Sequence, residues 1–394
     1  MKMAYVKQGD HMRPIKILYI ISSLRRCGPT TVLLNIMNSL DRKLFEVRVM
    51  TLSPEGSDSL ASTVQDAGFK IYFGNCDRLR GLYSVRRHIL AVIDQFQPDI
   101  THSHGVRPDI INAFVNNKTV TFSTIHNSLN GVYKLKYGKL TGEMMDILQL
   151  AAIKRIRYPV ACAKTLAEEL KSNYGINTAI VSNGIDLSVF NGTSTKTKKE
   201  LLIELNLPDA SLVFVTSGAL TAWKDPFLIM NAFTASAIGK KAVLVICGDG
   251  PLREACQKQV AGNPRIYFTG NVCNIKSYLM AADYFISASK IEGLPNAVLE
   301  AMACYLPVIL SDIPAHREIL AYDYRAGILF DQAHSENLIR TLDNLDFITS
   351  DTGLYARKVI KNHFSKEIMT GKYAALYEMA CSQSDRERGL WPKA

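Results

Sequence analysis

Residues 289–312 read SKIEGLPNAVLEAMACYLPVILSD. The stretch opens at a strand end, passes through a glycine-containing loop, and enters an apolar helix that Pro295 suits as a first helical residue. It leaves that helix at Cys304 and runs into a second short apolar strand, Val308–Leu310. Brief apolar runs separated by a helix are the mark of a parallel sheet covered on both faces. Two carboxylates interrupt the pattern: Glu292 in the loop and Glu300 among Val298, Leu299, Ala301 and Met302.

The same rhythm extends in both directions. Strand-like runs are Ile15–Ser22, Glu46–Leu52, Lys70–Phe73, Asp99–Thr101, Val120–Ile125, Val160–Ala163 and Ala179–Val181. After a polar stretch at 191–199 (NGTSTKTKK), of linker composition, they resume as Leu212–Thr216, Ala242–Ile246, Ile266–Thr269, Tyr284–Ser287, Val308–Leu310 and Gly327–Phe330. Helix-period stretches lie between them, and the chain reads as helical from Ser335 to about Cys381. The economical fold is α/β: two Rossmann-like doubly wound domains, 1–190 and 200–365, facing across a cleft. A helix at 366–381 and a charged, disordered tail at 382–394 follow them. The first dozen residues read as a loose leader.

With 394 residues, 47% hydrophobic and 21% charged, the chain can bury two ordinary cores. No apolar run approaches the roughly 20 residues of a spanning helix, and a cytoplasmic protein is expected. The eight cysteines form no C-x-x-C pair, which favours reduced thiols over disulfides or zinc. The net charge of +10 is uneven: residues 1–190 carry 24 Lys and Arg against 15 Asp and Glu, the remainder 22 against 21. A basic first half suits nucleic acid, an anionic membrane or simple solubility.

Open α/β sheets bind ligands beyond the carboxyl ends of their strands. The residues that follow the strands here are polar or small: Arg25 to Gly28, His102-Ser103-His104, His126, Asn183 to Asp186, Gly218 to Lys224, Gly248-Asp249-Gly250, Gly270-Asn271 and Glu292-Gly293-Leu294. The N–H groups of Gly293, Leu294 and the following helix start are expected to offer an anion site. Glu292 and Glu300 are placed to hold two parts of one ligand with a central diphosphate. His102 follows a buried strand and reads as structural, His126 reads as a site residue, and His104 stays open between the two. Ligand spacing for a metal is absent from these histidines.

The E-x7-E segment Glu292 to Glu300 resembles the signature of retaining glycosyltransferases of the GT-B fold, family 4 (glycosyl transferases group 1). Supporting matches are Cys27-Gly28, His102-Ser103-His104, Ile125-His126, Ser182 to Asp186, Lys224 and Gly248 to Pro251, over roughly residues 15–380. The resemblance implies a hexosyltransferase-type enzyme using a nucleotide diphosphate sugar, a UDP-sugar above all, with no metal. Glu292 then hydrogen-bonds the donor sugar, and Glu300 the ribose. Lys224 neutralises the diphosphate, with the Gly293 and Leu294 amides adding donors. His126 stands near the reacting sugar, and Gly28 approaches the diphosphate. Gly248 and Asn271 fall on the nucleotide side, and the last helix crosses back to the first domain. The acceptor would be a hydroxyl of a glycan or a polyprenyl-diphosphate-linked lipid in bacterial surface polysaccharide assembly. Peripheral contact with an anionic membrane through Lys134, Lys136, Lys139, Lys154, Arg155 and Arg157 is a further expectation.

Two positions depart from the family. Ala219 follows Gly218 where an arginine is typical, leaving Lys224 alone, or Arg317, Lys290 or Arg25 as substitute cations, and Cys27 stands where a paired glycine is common. A glycosidase would need an acid and a nucleophile flanking one bond, unlike two acids holding a nucleotide sugar. A GT-B-fold epimerase or phosphorylase is the alternative enzyme. A basic nucleic-acid-binding protein is the non-enzymatic alternative, although the clustered basic-aromatic pattern of such a surface is missing and no nucleic acid is expected as a partner.

Overall fold

The computed structural model describes residues 5–8, 11–76, 82–115, 119–129, 131–346, 348–349 and 351–382. They form two compact units. One takes the chain to Gly184 and resumes at Lys366; the other runs from Ile185 to Ser365.

The first unit is built on strands β1 (Tyr5–Gln8), β2 (His11–Ile21), β3 (Phe45–Thr51), β4 (Lys70–Phe73), β5 (Ile100–His104), β6 (Val120–Ile125), β7 (Tyr158–Ala161) and β8 (Ala179–Ile180). Their order is β4-β3-β2-β5-β6-β7-β8, in parallel, with β1 antiparallel against the start of β2. The loose leader is therefore corrected in part, because the extended His11–Pro14 backbone offers Tyr5–Gln8 a ladder to join. The expected tail lies outside the described residues from 383 onward.

Strand β2 shows why both faces must be covered. Ile15, Ile17, Tyr19 and Ile21 point into one core with the helices Gly28–Ser39 and Lys366–Ser382. Leu18 and Ile20 point into the other, with the helix Leu82–Phe96. This period of two, apolar on both sides, is the signature of a buried parallel strand.

The last helix is locked into the first unit by hydroxyls as well as by apolar packing. Tyr377 Oη lies 2.9 Å from Tyr19 Oη and 2.6 Å from His102 Nδ1. His102 Nε2 meets Thr124 Oγ1 at 2.8 Å, and Thr124 Oγ1 meets Tyr373 Oη at 2.7 Å. All these groups are buried, and burial pushes the His102 imidazole down to about 3, so it is neutral. The network ties the helix to β2, β5 and β6 at once. His102 and His104 do not follow β5, as the sequence suggested; they are its last residues but two and its last residue, packed inside.

The second unit has strands β9 (Val213–Ser217), β10 (Val243–Cys247), β11 (Ile266–Gly270), β12 (Tyr284–Ser287), β13 (Val308–Ser311) and β14 (Gly327–Phe330), all parallel in the order β11-β10-β9-β12-β13-β14. Residues 185–190 belong with it: Ile185 N donates to Phe364 O at 2.8 Å, and Arg357 Nη1 donates to Phe190 O. The polar stretch 191–199 ends inside a helix, Lys198–Glu204. A reciprocal cap starts that helix, Thr197 accepting from Glu200 N while the Glu200 carboxylate takes Thr197 N at 2.7 Å.

Tyr377→Phe removes the hydroxyl shared by Tyr19 and His102 and leaves two buried polar groups short of a partner. The expected cost is about 1–3 kcal/mol, read as a lower urea midpoint with an unchanged slope.

Candidate active site

In each sheet the strand order reverses once. In the second unit the reversal lies between β9 and β12, adjacent strands whose exits lead to the loop Gly218–Asp225 and the loop Ala288–Pro295. Such a reversal opens a crevice at the strand ends because consecutive loops turn away in opposite directions. Lys224 and Glu292 occupy its two walls, and Lys224 Nζ contacts Glu292 Oε1 in a direct ion pair. The side chains are 24% and 12% exposed, so each charge depends on the other for most of its compensation. The walls are tied again by Lys290 N, which donates to Trp223 O at 2.7 Å, and by Lys290 Nζ on Asp225 at 2.7 Å. A pocket beside this pair is lined by Gly218, Ala219, Lys224, Cys247, Ser287 and Ser289, among others.

The glycines of the neighbouring loop act as a buttress. Gly248 has φ +149°, and a Cβ there would fall 1.9 Å from Gly218 O; one on Gly250 would fall 2.5 Å from Leu220 O. Leu220 N donates to Asp249 O at 3.0 Å. The Gly248–Gly250 turn thus sets the height of the Lys224 loop, and only residues without side chains permit that approach. Asn271 follows β11, two strands removed from β9, and is exposed; the structure does not bring it to the crevice.

Pro295 is the residue before the helix rather than its first turn, and the helix runs Asn296–Ala303. The reason is its backbone: ψ of 101° is extended. Gly293 and Leu294 are buried in the loop ahead of that helix start. Glu300 projects from the same helix, and its carboxylate has no hydrogen-bond partner among the described residues. Burial pushes this carboxyl up to about 7. Of the substitute cations, Arg317 grips Asp312 at 2.7 Å, Lys290 grips Asp225, and Arg25, in the first unit, grips Asp58 at 2.6 Å. Each is already engaged with an acid, and Ala219 stands exposed on its loop.

One residue in this neighbourhood escaped sequence reasoning. His316, on the helix Pro314–Leu320 after β13, is fully buried, with Nδ1 at 2.7 Å from Ser311 O and Nε2 without a partner among the described residues. Burial holds its imidazole down to about 4, with opposing influences from Glu292 and Lys224. Its only sequence signal was a histidine two residues past a helix-opening proline.

In the first unit the reversal lies between β2 and β5. Gly28 opens the helix Gly28–Ser39 after β2, with Cys27 exposed as the preceding residue. His126 directly follows β6 and lies 3.0 Å from His104, ring nitrogen to ring nitrogen. Among the described residues, no three or more His, Cys, Asp or Glu side chains cluster as metal ligands, and no helix is long and apolar enough to cross a membrane. All eight cysteines are free thiols.

Two parallel-sheet units, each with one reversal of strand order, have the architecture of the GT-B fold. Residues 27–189 match the family model Glycosyltransferase Family 4, and residues 211–345 match Glycosyl transferases group 1. The chain belongs to glycosyltransferase family 4 and is an enzyme of the hexosyltransferase type. It is 24% identical to the O-antigen biosynthesis glycosyltransferase WclY of Escherichia coli, covering 92% of this chain and 98% of that protein. It is 25% identical to the UDP-Gal:alpha-D-GlcNAc-diphosphoundecaprenol alpha-1,3-galactosyltransferase of Escherichia coli, over 71% and 75% of the two chains. Its fold is like that of Anabaena Alr3699/HepE, solved in complex with UDP and glucose, with a TM-score of 0.78, 15% identity, and 93% of this chain and 100% of that chain covered.

The raised Glu300 carboxyl has a consequence for stability. Between its ordinary value near 4.5 and about 7 the folded protein holds a proton that the unfolded chain has lost, so stability falls as pH rises across that window. Glu300→Gln removes this titration. Its stability relative to wild type should climb from pH 5 to pH 7 by about 2 kcal/mol, measured by urea denaturation at each pH.

Proposed function

We propose that this enzyme transfers a sugar, with retention of configuration, from a UDP-sugar to a hydroxyl of a glycan or polyprenyl-diphosphate-linked acceptor in bacterial surface polysaccharide assembly. The observation that carries the proposal is the Lys224–Glu292 pair at the β9/β12 crevice, with Glu300 on the helix that begins beside it. In this scheme Lys224 leaves Glu292 to neutralise the donor diphosphate, whose charge grows as the glycosidic bond breaks. Glu292, released, accepts hydrogen bonds from sugar hydroxyls. Glu300 accepts from the ribose, a partner that would relieve its unpaired, desolvated carboxylate. The Gly293 and Leu294 amides and the helix start add donors to the phosphates, and the family resemblance assigns Gly28 to the diphosphate and His126 to the reacting sugar. Gly248 serves the nucleotide indirectly, by supporting the Lys224 loop; Asn271 has no such support. The departing phosphate helps deprotonate the acceptor, so no enzyme nucleophile is required. The UDP bound to Alr3699/HepE and the UDP-Gal named for the Escherichia coli galactosyltransferase favour uridine as the donor base. Catalysis takes place in the cytoplasm.

A thermal-shift screen against UDP-, GDP-, ADP- and dTDP-sugars should give a stabilising response to a UDP-sugar that is lost in Lys224→Ala. Because Glu292 holds Lys224 in the free enzyme, Glu292→Ala should bind UDP at least as tightly as wild type while turnover falls about 100-fold or more. A loss of UDP binding in Glu292→Ala, or silence toward every sugar nucleotide, would overturn the scheme.

A peripheral membrane site is favoured by a separate observation in the first unit. On the helix Lys139–Arg155 the buried face is Gly142, Gln149, Ala152 and Ile153. Leu140, Met144, Ile147 and Leu148 are nevertheless 83%, 55%, 66% and 41% exposed, a second apolar stripe at helical spacing. Exposed cations lie at both ends of this helix, Lys139 at its start and Lys154 and Arg155 at its end, while Lys134 pairs with Glu143. Exposed apolar side chains flanked by cations suit the surface of an anionic bilayer. Flotation with phosphatidylglycerol-containing vesicles should recover the wild type. Leu140→Ser/Ile147→Ser should stay unbound even at low salt, where a purely electrostatic contact would still hold it.

A further inference from the structure

The pair His104–His126 has a geometry that the transfer scheme does not use. We propose that His104 is a positioning residue that fixes His126 in the tautomer protonated on Nδ1, presenting that N–H outward as a donor. His104 ends β5 and His126 follows β6, neighbouring parallel strands in which His104 pairs with Thr124. The two rings lie 5.3 Å apart, with His104 Nδ1 at 3.0 Å from His126 Nε2. His104 is 2% exposed, it packs against the His102 ring at 4.6 Å, and its Nε2 has no hydrogen-bond partner among the described residues.

One proton joins the facing nitrogens, and two neutral arrangements exist. If His126 Nε2–H donates to His104 Nδ1, the second proton of the pair sits on His104 Nε2, a buried donor with nothing to receive it. If His104 Nδ1–H donates to His126 Nε2, the unsatisfied group is a buried lone pair, and the other proton moves to His126 Nδ1. Orphaned buried N–H groups are rarer than under-used acceptors, and a buried donor left unmade carries the full desolvation penalty. The second arrangement therefore wins. Doubly protonated rings are disfavoured for both residues, since burial pushes His126 down to about 4 and His104 well below its ordinary value.

His126 then has no free lone pair: Nε2 is occupied by His104 and Nδ1 carries a proton. Its Nδ1 has no partner among the described residues, and the residue is only partly buried, at the mouth of β6. His126 is thus a neutral hydrogen-bond donor toward an oxygen of its ligand, and it is not a general base. That it meets the transferred sugar rests on the transfer scheme above; the tautomer itself does not.

The test is 15N-resolved NMR of the histidine rings in the full-length protein at neutral pH, assigned through His126→Gln. The expected spectrum has His126 protonated on Nδ1 and unprotonated on Nε2, the reverse of the preference of free histidine. In His104→Phe the preference should revert to Nε2–H, and in His104→Asn, whose amide nitrogen overlays Nδ1, the Nδ1–H form should return. A wild-type His126 protonated on Nε2, or a tautomer unchanged in His104→Phe, overturns the positioning role, and the wild-type spectrum alone decides this if the variants do not fold. With UDP-sugar and acceptor, His104→Phe should lower kcat about tenfold, with UDP affinity unchanged and recovery in His104→Asn. The expected tautomers without any loss of kcat would overturn the placing of His126 at the sugar, leaving the pairing intact.

Discussion

The constraint on which everything else in this protein depends is that parallel strands cannot be joined by tight turns. Each must be followed by a crossover, so all loops of one type gather at the same edge of the sheet. In the second unit this brings the exit of β9 beside the exit of β12, although Lys224 and Glu292 are 68 residues apart in sequence. The ion pair between them is a product of strand order. Gly248 and Gly250 refine it by letting the next loop lie against Gly218 and Leu220 without side chains in the way.

That pair also explains how the crevice tolerates charge before a ligand arrives. A lysine and a glutamate this poorly solvated would each be costly alone; together they form a neutral unit that can divide between a diphosphate and a sugar. Glu300 has no such partner among the described residues and meets the same cost by holding on to a proton up to about pH 7. The two acids of the signature are therefore unlike in physical state, despite lying on one short loop and helix.

Much of the architecture could be read from residues alone, because strands buried on both faces announce themselves as short apolar runs. Val120–Ile125, Tyr284–Ser287 and Gly327–Phe330 have the limits that pattern predicts. Polar residues inside strands broke it: His102, Ser103 and His104 look like a loop, yet they complete β5, with His102 held by Tyr377 from far along the chain and Ser103 by Asp109 on the helix that follows. The helix Lys139–Arg155 was equally obscure, since it is apolar on two faces and so shows no single stripe. At the site, residue types pointed to Lys224, Glu292 and Glu300. Their contacts, the engagement of Arg317, Lys290 and Arg25 by acids, and the burial of His316 depend on partners that no spacing rule can supply.

The return of the last helix to the first unit bears on the order in which the protein can be made. Tyr373 and Tyr377 are fully buried in the core around β2, so that core lacks two of its largest side chains until the segment after the second unit has been synthesised. The second unit, by contrast, is continuous from Ile185 to Ser365. On the ribosome, where domains ordinarily mature from the N-terminus onward, this chain inverts the sequence: the unit translated first is the one completed last, and its half-built sheet must wait for roughly the length of a whole domain.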